Sequence, residues 1–457
     1  MNPTQTIQTA EPLYTSIQPV NQKERIILLD MIRGVAICGI LIMNIPFFGR
    51  SINALDPRVM HELSSTLNMK TWFVVDFLLE GSMRGLFSML FGAGAVLLIS
   101  RLEKAHDGLK PADIYVRRLI WLLVFGLING YVFNWMGDIL YHYAIVGLFL
   151  FPFRNASNKI LIGLIIFFVS ITMLRFYLKT EDMNETRNKG IVAVQMEKEK
   201  RVLNEGQKED LEKWNGMQEE MKTENKRKKA DKDHKTVSTG SYAKVWGYTS
   251  KLTTWLETTK FHGFFFFDII IFMLLGILLF KTGIITGQKS ELFYWALMIG
   301  GYIIGLGLGY MEKTAVYTSG FDPFRYQEKA VFPINMYQIH RIGTTMGHMS
   351  LVILMWKNGF FKWILNPLSK MGQMAFTNYL MQSIICGFVF YGYGFGYFGK
   401  LQRYELYYVV AGIWIFEMIF SVIWLKYFRF GPLEWLWRSL TYWEKQPMKK
   451  KEIASTE

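Results

Sequence analysis

The stretch ILLDMIRGVAICGILIMNIPFF (residues 27–48) decides the class of fold, because nearly all of its residues are apolar. A helical run of roughly 17–25 apolar residues matches the hydrocarbon thickness of a bilayer. Ionisable side chains interrupt this run only at Asp30 and Arg33, close to its start. The stretch is therefore predicted to be a transmembrane helix that stays in the protein as a signal anchor.

Comparable apolar runs recur along the chain and predict an all-α fold, a polytopic transmembrane helical bundle of about ten spans. The second run is long and contains polar residues, which is typical of a tilted or broken helix. The predicted spans lie at 27–48, 71–100, 117–134, 138–153, 159–178, 262–281, 291–310, 335–356, 373–394 and 405–427.

Charged residues are few and unevenly placed, which excludes several classes of soluble protein. They make up 19% of the 457 residues, whereas a soluble chain carries about 25%. Of the 88 charged residues, 33 fall in the segment 179–260, so the rest of the chain is more apolar still. A secreted protein, a soluble Rossmann enzyme and a nucleic-acid binder are therefore excluded, and membrane lipids are the predicted surroundings.

The placement of lysine and arginine predicts the orientation in the membrane. With the N-terminus inside, short cytoplasmic segments hold 22 of these residues and short outer segments hold 8. Because basic residues favour the cytoplasmic side, both termini are predicted to lie inside.

The chain then divides into five predicted regions. The segment 179–260 is interpreted either as a solvated helix or disordered insertion, or as a lid or docking element. The regions are a disordered cytoplasmic tail (1–25), a first membrane half (26–178), a charged extracytoplasmic loop (179–260), a second membrane half (261–428) and a cytoplasmic amphipathic tail (429–457).

Ionisable side chains inside predicted spans are candidate functional residues, because lipid solvates them poorly. Asp76, Glu80, Arg84 and Ser88 follow at a spacing of four in the second span, so they share one helix face. We expect this face to line a polar cavity, with Arg84 paired to Glu80. Asp76 and Glu80 are catalytic candidates and Arg84 is a candidate substrate ligand, with a structural salt bridge as the alternative.

A short polar turn between spans three and four places Asp138 at the outer mouth of the bundle. Asp138 is a candidate general base, or it caps the following helix, and the two roles are compatible. His142 follows one turn later and is a candidate substrate ligand. His61, in the outer loop after span one, would act only in a nucleophilic or general-base step at that face.

Other polar side chains within the spans are candidates for binding a substrate. For the amides the alternative is hydrogen bonding between helices, and for Arg341 it is snorkelling to the outer surface. These candidates are Asn44 in span one, Arg341 and His348 in span eight, and Asn378 and Gln382 in span nine.

Several catalytic patterns are absent from the sequence. There is no P-loop, no HExxH and no GxSxG, so catalysis powered by ATP is not predicted. Cys38 and Cys386 both lie in apolar runs and provide neither a disulfide framework nor a metal cluster. No metal site and no covalently bound cofactor are therefore predicted.

Several motifs resemble the bacterial YeiB-like integral membrane proteins, and the resemblance extends over all ten predicted spans. The motifs are LDMIRGVAICGI (29–40) followed by Asn44-Ile45, FSMLFGAG (87–94), GDIL (137–140), KMGQ (370–373), AFTNYL (375–380), FYGYG (390–394) and FGPLEWLWRSLT (430–441). That family is poorly characterised and often described as involved in transport. The resemblance implies a multi-pass protein of the bacterial cytoplasmic (inner) membrane.

The family's fold looks similar to that of transmembrane acyltransferases, including heparan-α-glucosaminide N-acetyltransferase. Those enzymes carry an acyl group from cytoplasmic acyl-CoA to an acceptor on the other side, so the resemblance implies acyl-CoA as a co-substrate. Its phosphates would meet Arg33, Arg117 and Arg118. His61 lies in the loop that holds a catalytic histidine in the acetyltransferase, although the residues around it do not match that motif.

Three functions stay open at this point. The first is acyl transfer, with His61, Asp76, Glu80 or Asp138 as the base. The second is transport or export of a small molecule, coupled to protons through a carboxylate. The third is a non-catalytic membrane protein that binds a partner. The predicted partners are lipids and a small-molecule substrate, without nucleic acid, and a homo-oligomer stays open.

Overall fold

Helices form nearly all of the described chain, which confirms the predicted all-α class. The computed structural model describes residues 26–450 except 64 and 333. At residues 61–63 it describes the backbone but not the side chains. The predicted tail 1–25 and the last residues of the predicted tail 429–457 lie outside this range. The helices are α1 (Ile27–Gly49), α2 (Pro57–Leu63), α3 (Thr66–Leu79), α4 (Ser82–Ala105), α5 (Lys110–Leu127), α6 (Leu140–Leu148), α7 (Asn158–Lys198), α8 (Glu205–Met221), α9 (Thr223–Thr239), α10 (Tyr242–Trp255), α11 (Phe266–Lys281), α12 (Glu291–Thr318), α13 (Pro323–Lys329), α14 (Tyr337–Lys357), α15 (Lys362–Gln373), α16 (Ala375–Phe390), α17 (Leu406–Tyr427) and α18 (Pro432–Tyr442).

The centre of the bundle is built on α1 and α11, whose residues are mostly buried. α11 packs on α4 and α7, and α1 packs on α4, α15 and α16. Glycines allow close crossings at these contacts. A Cβ atom on Gly276 would collide with the Met89 carbonyl oxygen, and one on Gly372 would collide with that of Asp30.

Six helical stretches of the described chain are long and apolar enough to cross a membrane. The predicted runs at 117–134, 138–153, 335–356 and 373–394 are not among them, because polar turns or polar faces shorten their apolar length. The count of ten spans and the orientation with both termini inside remain predictions. The six stretches are Ile27–Gly49, Thr66–Ala105, Asn158–Lys198, Tyr242–Lys281, Glu291–Thr318 and Leu406–Tyr427.

The second predicted span is broken in the middle. α3 ends at Leu79 and α4 begins at Ser82, and Gly81 between them adopts a positive φ of 68°. Glycine reaches this left-handed region without the strain that a side chain adds. Asp76 and Arg84 therefore lie on different helices, and the predicted continuous face of one helix is wrong.

The charged segment 179–260 forms helices that pack on one end of the bundle. It contains the end of α7, all of α8 and α9, and α10, which continues through a π-helical turn (Leu256–Phe265) into α11. Asp233 of α9 accepts hydrogen bonds from Ser51 at 2.6 Å and Asn53 at 3.1 Å. The Gly392 amide donates to the Val237 carbonyl oxygen at 2.8 Å. α9 thereby covers the loops that follow α1 and α16.

Helices α12 and α14 pack closely through glycines. A Cβ atom on Gly301 or Gly305 of α12 would touch the backbone of Gly343, Thr344 or Gly347 in α14. Gly307 faces open space. Because few side-chain atoms lie between the two helices, their separation depends on the polar residues at the ends of this contact.

Candidate functional site

One large cavity opens where the start of α1, the end of α4 and the C-terminal helix α18 meet. Its volume is about 850 Å³, which lies within the range of small-molecule and cofactor sites. We call the cationic side chains at its opening the basic mouth. They are Arg33, Arg101, Arg118, Arg429, Arg438 and Lys450.

Two carboxylates in the lining are engaged by neighbours, so the basic mouth keeps an excess of positive charge. Asp30 accepts a hydrogen bond from Arg33 at 2.8 Å. Glu434 accepts from the Phe376 and Thr377 amides at 2.7 and 3.0 Å and from the Thr377 hydroxyl at 2.5 Å. Glu434 therefore caps the N-terminus of α16, where a negative charge is favourable.

Of the three arginines expected to meet CoA phosphates, the structure brings two to the cavity. Arg33 and Arg118 line it, and the Arg118 guanidinium lies over the Trp437 ring. Arg117 points elsewhere: it pairs with Asp113 and donates to the Thr441 carbonyl oxygen at 3.3 Å. The difference follows from helical geometry, because neighbouring residues of α5 face directions about 100° apart.

The interior of the cavity is apolar and ends at two tyrosines. Leu90, Leu119 and Phe376 line its middle, and Tyr143 and Tyr379 lie at its deep end. The Tyr143 hydroxyl lies 2.6 Å from the Ser88 hydroxyl. The cavity thus joins a cationic opening to an apolar interior closed by hydroxyl groups.

Asp138 lies just beyond this deep end and is buried, with 2% of its surface exposed. The Tyr379 hydroxyl donates to Asp138 Oδ1 at 3.4 Å, and Asn129 Nδ2 donates to the same oxygen at 2.7 Å. Asp138 Oδ2 accepts from the Tyr141 amide at 2.9 Å, so Asp138 caps the first turn of α6. Capping therefore uses one oxygen, and the other contacts the wall of the cavity through Tyr379.

His142 is held by backbone groups. Its Nδ1 lies 2.8 Å from the Asp138 carbonyl oxygen and its Nε2 lies 3.4 Å from that of Leu256. Both ring nitrogens thus have neighbours, and His142 fixes α6 against the π-helical turn that precedes α11.

A second polar region lies between α4, α11 and α14. Arg84 Nε donates to Asp268 Oδ2 at 2.9 Å, and Arg341 pairs with the same carboxylate. Arg341 also donates to the Gly81 carbonyl oxygen at 2.7 Å. Arg341 is fully buried and does not snorkel to the surface. The expected pairing of Arg84 with Glu80 is wrong, because the Arg84 guanidinium forms its ion pair with Asp268 of α11 instead.

A third group lies at the end of the bundle opposite the basic mouth, and we call it the far acidic group. Lys313 Nζ lies 2.5 Å from Asp76 Oδ2, and the Tyr337 hydroxyl donates to Glu80 Oε1 at 2.8 Å. Its members are Asp76, Glu80, Glu312, Lys313 and His340.

The remaining candidates hold helices together or lie apart from the cavity. Asn378 Nδ2 donates to Ser421 at 3.0 Å, and Gln382 Nε2 donates to Glu417 at 3.0 Å, so both amides join α16 to α17. His348 lies between the Tyr302 hydroxyl and the Leu78 carbonyl oxygen, each at 2.9 Å. Asn44 is half-buried in α1. His61 lies in α2, and its side chain is outside the described part of the structure.

Sequence reasoning missed several residues of these regions. Asp268 and Glu417 each interrupt a long apolar run, which is the signal that singles out an intramembrane carboxylate. Trp437 and Arg438 belong to α18, and their approach to α5 has no local signal in the sequence. Among the described residues, no cluster of three or more His, Cys, Asp or Glu has an arrangement that could hold a metal ion.

Comparisons with known proteins agree with the resemblance found in the sequence. Residues 279–444 match the family described as "Protein of unknown function (DUF418)". The chain is 29% identical to "Uncharacterized protein YxaH" of Bacillus subtilis (strain 168), over 96% of this chain and 99% of that protein. It is 28% identical to "Uncharacterized protein YeiB" of Escherichia coli (strain K12), over 92% of this chain and 96% of that protein. No solved structure matches the chain.

Proposed function

We propose that this chain, which is a YeiB-like membrane protein, is an acyltransferase whose donor, acyl-CoA, binds in the cavity behind the basic mouth. One observation carries the proposal: a single cavity joins six cationic side chains to an apolar interior that ends beside Asp138. Acyl-CoA has the matching order of groups, with phosphates at one end and an acyl thioester at the other.

The basic mouth would hold the phosphates. Arginine binds phosphate oxygens with charge-assisted hydrogen bonds in a planar fork. Arg118 and Arg438 come from α5 and α18, so they can approach a phosphate from two sides. The predicted orientation places this opening at the cytoplasm, where acyl-CoA is found.

The deep end of the cavity would hold the thioester. An acceptor hydroxyl or amine attacks the thioester carbonyl, its proton passes to Asp138, and the thiolate of CoA leaves. Asp138 is suited to this role because one of its oxygens already contacts the cavity wall through Tyr379. A positioned base contributes about 10²–10⁴ in rate. In this arrangement the acceptor reaches Asp138 from the side opposite the basic mouth.

Binding of CoA to the purified protein in lipid nanodiscs tests the proposal. Pantetheine, which lacks the nucleotide phosphates, is the matched probe. We expect CoA to bind at least roughly tenfold more tightly than pantetheine, because charged hydrogen bonds are lost. Equal affinities, or no binding of CoA, would contradict the proposal. Cryo-EM with acetyl-CoA should then place its density in the cavity.

Transport of a small molecule is the second candidate. The observation that favours it is the cluster formed by the buried Asp268 and Arg341 with the partly buried Arg84, because ionisable groups inside membrane proteins often mark substrate or ion pathways. Substrate counterflow in proteoliposomes tests this function directly. Counterflow without any binding of CoA would favour transport over acyl transfer.

A further inference from the structure

The far acidic group contains two buried polar atoms that face each other without a hydrogen bond. Glu312 Oε2 of α12 and His340 Nε2 of α14 lie 3.5 Å apart. Within the described chain, neither atom has a hydrogen-bond partner. His340 is 5% exposed. Hydrogen bonds of this type usually span 2.7–3.2 Å, roughly, so the pair is slightly too far apart to be bonded.

Two unsatisfied buried atoms in one place are unfavourable, because each has lost its water and gained no partner. When the imidazole proton of His340 is on Nδ1 and Glu312 is ionised, both facing atoms are acceptors, and one added proton between them removes both deficits. It gives His340 a positive charge or Glu312 a hydroxyl group, and either form makes a short, strong hydrogen bond between the two side chains. A shift of a few tenths of an ångström brings the atoms to bonding distance.

We infer that Glu312 and His340 form a proton-binding site, in which one proton from solvent is shared between Glu312 Oε2 and His340 Nε2. The site is separate from the cavity described above, because neither residue lines that cavity. The inference therefore does not rest on the proposed acyl transfer.

The neighbouring groups favour a proton as the ligand of this pair over a cationic side chain or a metal ion. Lys313 is bound to Asp76, and Arg341 is bound to Asp268. The two cations that act on the pair are thus engaged by other carboxylates. A metal ion at this position would meet the ammonium of Lys313, and metal-ligand geometry is absent from the described residues.

Other groups that face the pair determine its affinity for the proton. The carboxylates of Asp76 and Glu80 favour uptake of a proton, whereas Lys313 and Arg341 oppose it. The phenol of Tyr337 stacks edge-on against His340 at 5.4 Å and donates to Glu80. The Tyr326 phenol lies on the side of Glu312 and Lys313. The positive charge of Arg403 interacts with Asp76, which neighbours the Glu312–His340 pair.

Uptake of the proton would add a second polar contact between α12 and α14, which are joined by the Tyr302–His348 hydrogen bond and otherwise pack through glycines. α12 and α14 meet at Gly301, Gly305 and Gly343, which provide no polar contact between side chains. A Glu312–His340 hydrogen bond adds such a contact at the end far from the basic mouth. The Glu312 side chain is 16% exposed, so protons reach the pair from that end.

Infrared spectroscopy of the full-length protein in lipid bilayers tests the inference. Spectra are recorded between about pH 8 and about pH 5, the range in which histidine titrates. We expect the carboxylic acid C=O region to change in the wild type and one component of this change to be lost in Glu312→Gln, while components from other buried carboxyl groups remain. His340→Gln should shift the midpoint of the carboxyl signal by roughly one to two pH units, because it removes a charge-assisted hydrogen bond.

Glu434→Gln is the matched control. The Glu434 side chain is partly buried, and its oxygens accept hydrogen bonds from Phe376 and Thr377 at the start of α16. Glu434→Gln should therefore leave the Glu312 component of the band as it is in the wild type. A C=O difference spectrum that Glu312→Gln leaves unchanged, or a midpoint that His340→Gln leaves unchanged, would overturn the shared proton.

A measurement on the wild type covers the case in which the variants fold poorly. The chain has 7 histidines, and ¹⁵N-histidine NMR in bilayers follows their protonation. One imidazole signal should move with the same midpoint as the carboxyl band. If every histidine titrates independently of that band, the pair does not share a proton.

Discussion

The Arg118 guanidinium lies 3.6 Å from the centroid of the Trp437 ring, and Trp437 Nε1 donates to the Arg118 carbonyl oxygen at 2.9 Å. One tryptophan thus fixes α18 against α5 twice, through the backbone and through the side chain of the same residue. Arg118 has no carboxylate partner among the described residues. Its charge is therefore available to a ligand in the cavity.

Arg118→Gln should weaken the binding of CoA by roughly tenfold or more, because a charge-assisted hydrogen bond to a phosphate is lost. Isothermal titration calorimetry in nanodiscs measures the effect. Arg154→Gln is the matched control, since Arg154 pairs with Glu103 at 2.6 Å and does not line the cavity. Equal losses in the two variants would show that CoA binding depends on the overall positive charge at this end of the protein and not on a contact with Arg118.

Asp138→Asn should leave the fold intact and reduce acyl transfer by at least roughly tenfold. Asn caps helices about as well as Asp. Asn129 Oδ1 has no partner in the described structure, so a flip of the Asn129 amide lets it accept from the new side-chain amide. Yield and thermal unfolding report on the fold, and release of CoA thiol reports on activity. Full activity would leave Asp138 with capping alone.

Asp268→Asn should destabilise the protein strongly, by about 3–5 kcal/mol, because it leaves the buried Arg341 and the partly buried Arg84 without a counter-charge. Arg84 and Arg341 both depend on this carboxylate. Glu80→Gln should cost only about 1 kcal/mol, since the amide oxygen still accepts from Tyr337. Thermal unfolding in detergent compares the two variants. A larger loss in Glu80→Gln would restore Glu80 as the principal partner of Arg84.

Gly276→Ala should lower both yield and melting temperature, because the added methyl group would collide with the Met89 carbonyl oxygen where α11 crosses α4. Gly307→Ala is the control within a neighbouring helix, where nothing lies within contact distance. It should be neutral, or stabilise by roughly 0.5–1 kcal/mol through the better helix propensity of alanine. Fluorescence-detected size exclusion after heating ranks the variants, and equal melting would argue against the close crossing.

Contact between α9 and the loop after α1 should weaken in acid. The His234 Nε2 accepts a hydrogen bond from the Ser51 amide at 3.3 Å, which requires an unprotonated nitrogen. Burial, and secondly the nearby Arg50, lower the pKa of His234. A free histidine takes up a proton near about pH 6.5, so the docked form is favoured above this pH and loses stability as the pH falls below it.

Hydrogen exchange of α9, corrected for intrinsic rates, should therefore be faster at about pH 5.5 than at about pH 7.5. His234→Gln keeps an acceptor for Ser51 and does not titrate, so its protection should depend less on pH. Asp56 does not contribute in this range. Burial would raise the pKa of Asp56, but hydrogen bonds from Arg58 and Lys226 outweigh it and lower the pKa to about 2. An unchanged pH dependence in His234→Gln would assign the effect to another group.

The class of fold was predictable because long apolar runs leave a chain few alternatives in lipid. The run 262–281 is one such case, and it forms a buried helix. The pairing of Arg84 was not predictable from spacing. Gly81 breaks the helix between Glu80 and Arg84, and Asp268 arrives from a helix 184 residues farther along the chain. Spacing rules apply within one continuous helix. They therefore predict neither the break at Gly81 nor the contact with Asp268 of another helix.

The candidate site was predictable in part. The polar turn that contains Asp138 stands out locally, because it is short and flanked by apolar runs. The basic mouth does not stand out, since Arg118 of α5 and Arg438 of α18 meet only through tertiary packing. Sequence could assign both arginines to the same side of the membrane but could not distinguish Arg118 from Arg117, which faces away from the cavity.

The length of α7 fixes a distance from the membrane. Its 41 residues extend over about 60 Å at about 1.5 Å per residue, whereas the hydrocarbon core is about 30 Å thick. Roughly half of this continuous helix must therefore project into the aqueous phase, and α8 follows at its far end. A fluorescent label at the α7–α8 turn should therefore sit at a constant height of about 30 Å above the edge of the hydrocarbon core.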